Sequence, residues 1–148
     1  MPITGSAMSC CYGCFDSDAK LERYMDSDDR IFFEAGVNDG VTQSNTRYSE
    51  ERRGWRGILV EPIPETFDEC VRNQPQSIVE WGALTPLGFG KDEVDLVFYN
   101  LMVTTRGCMS PEQEAARLKI GKQFLPHDEI FEFRAPVLTI SGILDKHG

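Results

Sequence analysis

The chain has 148 residues, a length typical of one domain, and 41% of them are hydrophobic, which is enough to form a core. Its 24 acidic residues outnumber the 15 basic ones and give a formal charge of −9, so we expect no nucleic acid as a substrate or partner. No apolar run is long enough to span a membrane and no secretory signal pattern is visible, so we expect no membrane association and a cytoplasmic location.

The cysteines and histidines show no spacing that predicts a metal site. Cys11 and Cys14, with Cys10 beside them, could form half of a zinc site or a redox pair, but a structural zinc needs four ligands. The uneven spacing of the five cysteines is not typical of a secreted disulfide framework. We therefore expect no metal, and we divide the chain into an N-terminal tail with a short helix, residues 1–29, and a domain over residues 30–148.

The first strong element is a strand that runs into a glycine-containing turn. The segment Ile31–Phe33 has high strand propensity, and Gly36 and Gly40 interrupt the polar sequence that follows it. This pattern predicts a strand, a tight turn and then a helix within Val41–Arg53. Glycines at such a turn allow the backbone to bend sharply and a ligand to approach it closely.

Acidic residues end the first two predicted strands. Glu34 lies at the carboxyl end of the first strand, the end that faces the ligand crevice in open α/β sheets. The second strand, Gly57–Val60, is followed by Glu61, twenty-one residues after Gly40. An acidic residue at this position is placed to accept hydrogen bonds from the hydroxyls of a ribose. The two carboxylates therefore suggest a cofactor that contains a nucleoside.

The turn favours a cofactor without phosphate groups. Its form is E-x-G-x-x-x-G, and the G-x-G-x-x-G pattern of dinucleotide sites is absent. A pyrophosphate needs several closely placed backbone amides, and Glu34 would repel it. S-adenosylmethionine, which has an ammonium, a sulfonium and a ribose, suits the turn better. A nicotinamide-dependent oxidoreductase is the alternative, because Glu61 would serve that cofactor equally well.

The segment FEAGVNDGVTQSNTRYSEERRGWRGILVEPIPE, residues 33–65, resembles the core of the FkbM family of S-adenosylmethionine-dependent methyltransferases. The family pattern has E-x-G-x-x-D-G, then S-N-T before a glutamate, then G-W-x-G-[IL]-[LV]-[IV]-E-P. The matching positions after the turn are Ser44, Asn45, Thr46, Glu50, Gly54, Trp55, Gly57, Glu61 and Pro62. The resemblance implies the N-terminal part of a Rossmann-like class I methyltransferase sheet, an α/β fold, here with added antiparallel strands. It also implies methyl transfer to oxygen on a small hydroxylated or sugar-like acceptor.

The expected cofactor-binding residues lie in the turn, in the S-N-T segment and at the ends of the second and third strands. A third strand is predicted within Ser77–Leu84, and its last residues would face the adenine. The full set is Glu34, Gly36, Asn38, Asp39, Gly40, Ser44, Asn45, Thr46, Glu61, Pro62, Ala83 and Leu84. For Ser44–Thr46, cofactor binding and helix capping are equally open. Asp39 and Glu34 are the visible candidates for a base, and no catalytic residue is predicted.

The remaining sequence predicts further strands and two helices. Alternating residues in Glu93–Asn100 indicate an antiparallel strand. The run that starts at Ser110 has the residues of a capping box, which predicts a helix from Pro111 to about Lys122. A strand over Ile130–Ile140, broken at Pro136, and a short final helix follow.

The last fourteen residues resemble the family segment that precedes the next core strand, which ordinarily carries an acidic D-x-E-G-type motif. We therefore expect the 148 residues to be part of a longer domain, or a second copy to cover the open edge of the Ile31–Glu34 strand. A truncated domain that binds nucleosides without turnover is a further alternative.

Overall fold

The computed structural model describes residues 12–13, 17–99, 102–121, 123 and 130–148. Helices and strands in these ranges form two sheets with both parallel and antiparallel pairs, which confirms the α/β class. The chain divides between Glu80 and Trp81 into an N-terminal unit and a C-terminal unit. The predictions made for Cys10, Cys11 and Cys14 lie outside the described residues. None of the helices in the described ranges combines the length and hydropathy needed to cross a membrane.

The N-terminal unit alternates helices and strands. Its elements are α1 (Ser17–Glu22), β1 (Ile31–Ala35), α2 (Arg47–Arg53), β2 (Arg56–Glu61), α3 (Pro64–Asn73) and β3 (Ile78–Trp81), the last of which reaches the unit boundary. The strands form a sheet in the order β1-β2-β3, in which β1 and β2 are parallel. Parallel strands end at the same edge of a sheet, so the carboxyl ends of β1 and β2, with Glu34 and Glu61, share one edge.

The core of this unit lies between β2 and α3. Leu59 and Cys70 are fully buried and pack with Val37, which follows β1. β2 is buried from Gly57 onward because it has strand neighbours on both sides and helix α3 against it. Burial along the whole strand brings its terminal Glu61 into the interior as well.

The helix that follows the glycine turn begins later than the sequence predicts. Residues 36–46, called the glycine loop below, contain turns and bends, and α2 starts only at Arg47. Asn38 and Gln43 have positive φ angles of 59° and 65°, which an α-helix does not accommodate. The Asp39 carboxylate also binds nearby backbone N–H groups that a helix would use. Within the predicted segment Val41–Arg53, the helix is therefore confined to Arg47–Arg53.

Residues typical of helix ends lie at the end of α2 and at the start of α3. Gly54 ends α2 in the left-handed conformation, with φ at 67°, and its N–H donates to the Ser49 carbonyl. Pro64 is the first residue of α3, a position where its missing N–H is not needed. On α3, Cys70 is buried, whereas its neighbour Val71 is 45% exposed.

The C-terminal unit is a mixed sheet with two helices. Its elements are β4 (Ala83–Leu84), β5 (Glu93–Tyr99), β6 (Met102–Thr105), α4 (Pro111–Gly121), β7 (Ile130–Leu138) and α5 (Ile140–His147). The strand order is β4-β7-β5-β6, with β4 parallel to β7 and the other pairs antiparallel. Val94, Leu96 and Ala135 form the buried core. The predicted antiparallel strand is thus confirmed over Glu93–Tyr99.

The structure bears on two further predictions for this unit, the capping box before α4 and the break at Pro136. The capping box at α4 is confirmed, because Ser110 N–H donates to the Gln113 side chain at 2.9 Å and Gln113 N–H donates to the Ser110 hydroxyl at 3.3 Å. The predicted break at Pro136 is wrong, because β7 continues through it. Pro136 is opposite Glu93, at the end of the β5 pairing, where the ladder loses little from a missing donor.

Candidate functional site

The carboxylate of Glu34 binds the second half of the glycine loop. Its Oε1 accepts the backbone N–H of Asn45 at 3.0 Å and the side-chain Nδ2 of Asn45 at 3.1 Å. Its Oε2 accepts the hydroxyls of Ser44, at 3.4 Å, and Thr46. A carboxylate offers about four acceptor positions, and donors of this loop occupy that number on Glu34. A direct contact between Glu34 and a cofactor stays a prediction, as does cofactor binding by Ser44, Asn45 and Thr46.

The carboxylate of Glu61 binds the first half of the same loop. Its Oε2 accepts the Asn38 N–H at 2.9 Å, and its Oε1 accepts the Ile63 N–H and the Thr66 hydroxyl, each at 3.0 Å. These three donors, the partners that the described residues supply, leave one acceptor position open on Oε2. The two carboxylates that the sequence places at neighbouring strand ends therefore hold opposite halves of one loop.

Asp39 shapes the loop from within. Its Oδ1 accepts the N–H groups of Val41, at 2.8 Å, and Thr42, at 2.6 Å, and its Oδ2 accepts the Thr42 hydroxyl at 2.7 Å. These are the bonds of an Asx turn, in which an aspartate replaces a backbone acceptor. The arrangement gives Asp39 a role in forming the turn, and it does not point to a role as a base.

The end of α3 contacts the loop in a way that sequence reasoning missed. Asn73 Nδ2 donates to the Asp39 carbonyl at 2.7 Å, and Gln74 Nε2 donates to the Gly40 carbonyl at 2.8 Å. Gly40 packs closely here, since a Cβ on it would lie 3.1 Å from Cys70 Sγ. The sequence does not predict these contacts, because an asparagine and a glutamine before Pro75 are also typical of helix ends that bind no loop.

Open space lies at the tip of β1, beside the loop. Gly36 has a φ of 72°, and a Cβ built on it would meet no atom of the described residues within 4 Å. The Gly36 N–H is hydrogen-bonded to the Val60 carbonyl at 2.8 Å, which fixes this backbone to β2. Gly36 is exposed, so a flat ligand group can approach its bare backbone, and a larger residue would block this approach.

The electrostatic environment of the loop is acidic. Burial and, to a smaller extent, nearby carboxylates together raise the pKa of the Cys70 thiol to about 12. These carboxylates belong to Glu61, Glu34, Asp39 and Glu50. Carboxylates that act together on one buried thiol create a negative potential, which favours a bound cation and disfavours a pyrophosphate.

The stability of the domain should depend on pH through Glu61. Burial raises the pKa of the Glu61 carboxyl above its ordinary value of 4.5, although its hydrogen bonds partly oppose this shift. The folded chain then holds a proton that the unfolded chain has already lost, so this stabilisation falls as pH rises from 4.5 through the folded-state pKa. We expect wild type to lose stability relative to Glu61→Gln over that window. Urea unfolding at pH 4.5 and at a series of higher pH values measures this difference, and a difference that grows with pH in favour of wild type would contradict it.

The remaining predicted residues lie apart from the loop in sequence. Pro62 follows β2 directly and is half-buried. Ala83 and Leu84 form β4 of the C-terminal unit, opposite Val137 and Leu138 of β7, and Ala83 packs on the core of that unit. Their predicted contact with the adenine stays a prediction.

Comparison with known proteins identifies a family. A family model described as the methyltransferase FkbM domain matches residues 34–148. The match begins at Glu34 and includes the glycine loop, Glu61 and the C-terminal unit. It confirms the resemblance seen in residues 33–65. No curated protein and no solved structure matches the chain.

Proposed function

We propose a function from one established premise: this chain belongs to the FkbM methyltransferase domain family, which supports a methyltransferase activity. The methyl donor in this proposal is S-adenosylmethionine, and the acceptor is an oxygen of a small hydroxylated or sugar-like molecule. The observation that carries the proposal is the glycine loop, held at its two halves by Glu34 and Glu61 and open above Gly36.

The adenosine half of the cofactor has a place in this proposal. A ribose hydroxyl donates to the open acceptor position on Glu61 Oε2, and the adenosine passes over the bare backbone of Gly36. Glu61 is only 3% exposed, so a ligand reaches it when the loop moves at Asn38, whose N–H shares the same oxygen. Glu34 acts through the loop by fixing Asn45 and its neighbours.

The chain's contribution to the chemistry is binding and alignment. When bound, S-adenosylmethionine would supply a methyl group attached to a positively charged sulfonium. The carboxylates around the loop stabilise this positive charge, and the loop orients the donor toward an acceptor hydroxyl. We assign no base, because Asp39 and Glu34 are both engaged in holding the loop.

The N-terminal unit supports a Rossmann-like interpretation of the fold. β1 and β2 are parallel, α2 connects them, and the candidate site lies at their carboxyl ends, where open α/β sheets bind ligands. The nicotinamide alternative is less favourable, because the turn lacks G-x-G-x-x-G and its surroundings are acidic.

Isothermal titration of the chain with S-adenosylhomocysteine and with NAD tests the proposal. We expect binding of S-adenosylhomocysteine but not of NAD, and a loss of about 1 to 3 kcal/mol of binding free energy in Glu61→Ala, because a charged acceptor is removed. Glu65→Ala, which removes an exposed carboxylate at the start of α3, is the matched control and should bind as wild type does.

Preference for NAD would overturn the proposed cofactor, and an unchanged affinity in Glu61→Ala would remove that residue from the site. A second assay measures the S-adenosylhomocysteine released when S-adenosylmethionine is incubated with small hydroxylated acceptors. Binding without release over a broad acceptor panel would favour a nucleoside-binding domain without turnover.

A further inference from the structure

Gln74, the residue after α3, occupies a position that core packing does not explain. Its side chain is fully buried at 0% exposure, and its Nε2 donates to the Gly40 carbonyl at 2.8 Å. Its Oε1 is also buried, and no donor among the described residues reaches that atom. Burying an acceptor without a partner lowers stability, and a methionine of similar length would avoid this loss.

The amide of Gln74 connects the two halves of the glycine loop. Besides Gly40, its Nε2 lies 3.3 Å from the Ser44 hydroxyl, which itself accepts the Arg47 N–H at 3.1 Å. The Ser44 hydroxyl in turn donates to Glu34 Oε2 at 3.4 Å. One buried group thus spans the loop from Gly40 to Ser44 and connects it to a carboxylate of the candidate site.

The neighbouring residue strengthens this connection. Asn73 Nδ2 donates to the Asp39 carbonyl at 2.7 Å, so consecutive amides of the chain hold consecutive carbonyls of the loop. Gly40 also rests directly on α3, with Cys70 Sγ only 3.1 Å from where its Cβ would be. The end of α3 is therefore a platform that fixes the backbone of residues 39–44.

We propose that Gln74 is a positioning residue of this site, which sets the conformation of the glycine loop and thereby the affinity for the cofactor. The inference rests on the proposed function, since the loop is the element that binds the donor there. Gln74 acts through Gly40 and Ser44 and does not need to touch the cofactor.

The test compares Gln74→Met with Gln76→Met, the same substitution at an exposed glutamine two residues later. Hydrogen exchange of the full chain reports on the loop without any ligand. In Gln74→Met we expect about tenfold faster exchange at the loop amides of Asn38 and Asn45, which bind Glu61 and Glu34. The reason is that the bonds from Gln74 to Gly40 and Ser44, which hold the loop, are lost. Amides of the central strand residues Leu59 and Val60 should exchange as in wild type.

The second measurement is functional. Gln74→Met should bind S-adenosylhomocysteine about tenfold more weakly and raise the KM for S-adenosylmethionine by a similar factor, with kcat little changed. Gln76→Met should match wild type in every assay. Asn73→Leu, at a half-buried position that tolerates substitution better, should show the same pattern with a smaller effect.

Several outcomes would overturn the inference. Unchanged exchange at the loop would do so, and so would equal acceleration at the loop and in β2, which indicates a purely structural role. A fall in kcat with no change in KM would also overturn it. Failure of wild type to bind S-adenosylhomocysteine would overturn the proposed function and not the role of Gln74 in the loop, because the exchange comparison needs no ligand.

Discussion

Replacement of Glu34 by alanine is expected to lower the free energy of unfolding by about 3 kcal/mol, because a hydrogen-bonded carboxylate leaves its buried partners unsatisfied. The donors that lose their acceptor are the Ser44 and Thr46 hydroxyls and both N–H groups of Asn45. Ser44 is fully buried, so water does not replace the lost bond there. Urea unfolding at neutral pH measures the change.

Glu34→Gln is the matched control for this prediction. The glutamine oxygen can still accept both Asn45 groups, and the Thr46 hydroxyl can reverse its role and accept from the glutamine nitrogen. We therefore expect a loss of about 1 kcal/mol, much smaller than for alanine. Equal losses in the two variants would show that the charge, and not the set of hydrogen bonds, stabilises the loop.

Replacement of Gly40 by valine should be the most destabilising single change in the loop, with an expected loss of about 4 kcal/mol. Backbone strain contributes because φ is 79°, a conformation that a β-branched residue rarely adopts. Overpacking contributes because the new Cβ would lie 3.1 Å from Cys70 Sγ and 3.3 Å from Cys70 Cα, and the second atom belongs to the backbone of α3. Thermal and urea unfolding measure the loss.

Gly36→Val separates the two contributions. Gly36 has a similar φ of 72°, but within the part of the chain that the structure describes a Cβ there meets no atom within 4 Å, so only the backbone strain remains. We expect about half the loss seen for Gly40→Val. Similar losses at the two glycines would contradict the role assigned to packing against α3. The Gly36 variant should nevertheless bind S-adenosylhomocysteine poorly, because the valine side chain covers the backbone over which the adenosine is proposed to lie.

The elements that the sequence predicts well are those with local causes. Strand propensity locates β1 and β2, and Gly54 ends α2 because it adopts a left-handed conformation there. The placement of Glu34 and Glu61 at one sheet edge follows from parallel pairing of the strands that carry them. These conclusions need only the spacing of residues within short segments.

The parts that the sequence does not predict depend on contacts between distant residues. α2 begins later in the sequence than predicted, because the Asp39 side chain and the positive φ angles of Asn38 and Gln43 favour a turn over a helix. Gln74 binds Gly40 although two helices and a strand separate them in the sequence, and no periodicity predicts that contact. Similarly, Ala83 and Leu84 read as the end of a third strand, but they pair with β7, far along the chain.

The same limit applies to the candidate site. Sequence spacing locates the two carboxylates but not their partners, which the structure shows to be groups of the glycine loop. A carboxylate accepts whichever donors the fold brings to it, and a folded loop competes with a ligand for the same acceptor positions. The donors that bind a carboxylate are therefore determined by the three-dimensional arrangement and not by residue type.

The packing beneath Gly40 also affects the reactivity of the chain toward oxidants and alkylating reagents. Attack on such reagents requires a thiolate, and Cys70 is buried with a pKa of about 12, so it stays protonated and inaccessible in the folded domain. Cys108, by contrast, is exposed. The contact between Gly40 and α3 therefore also protects the Cys70 thiol from chemical modification while the glycine loop stays packed on α3.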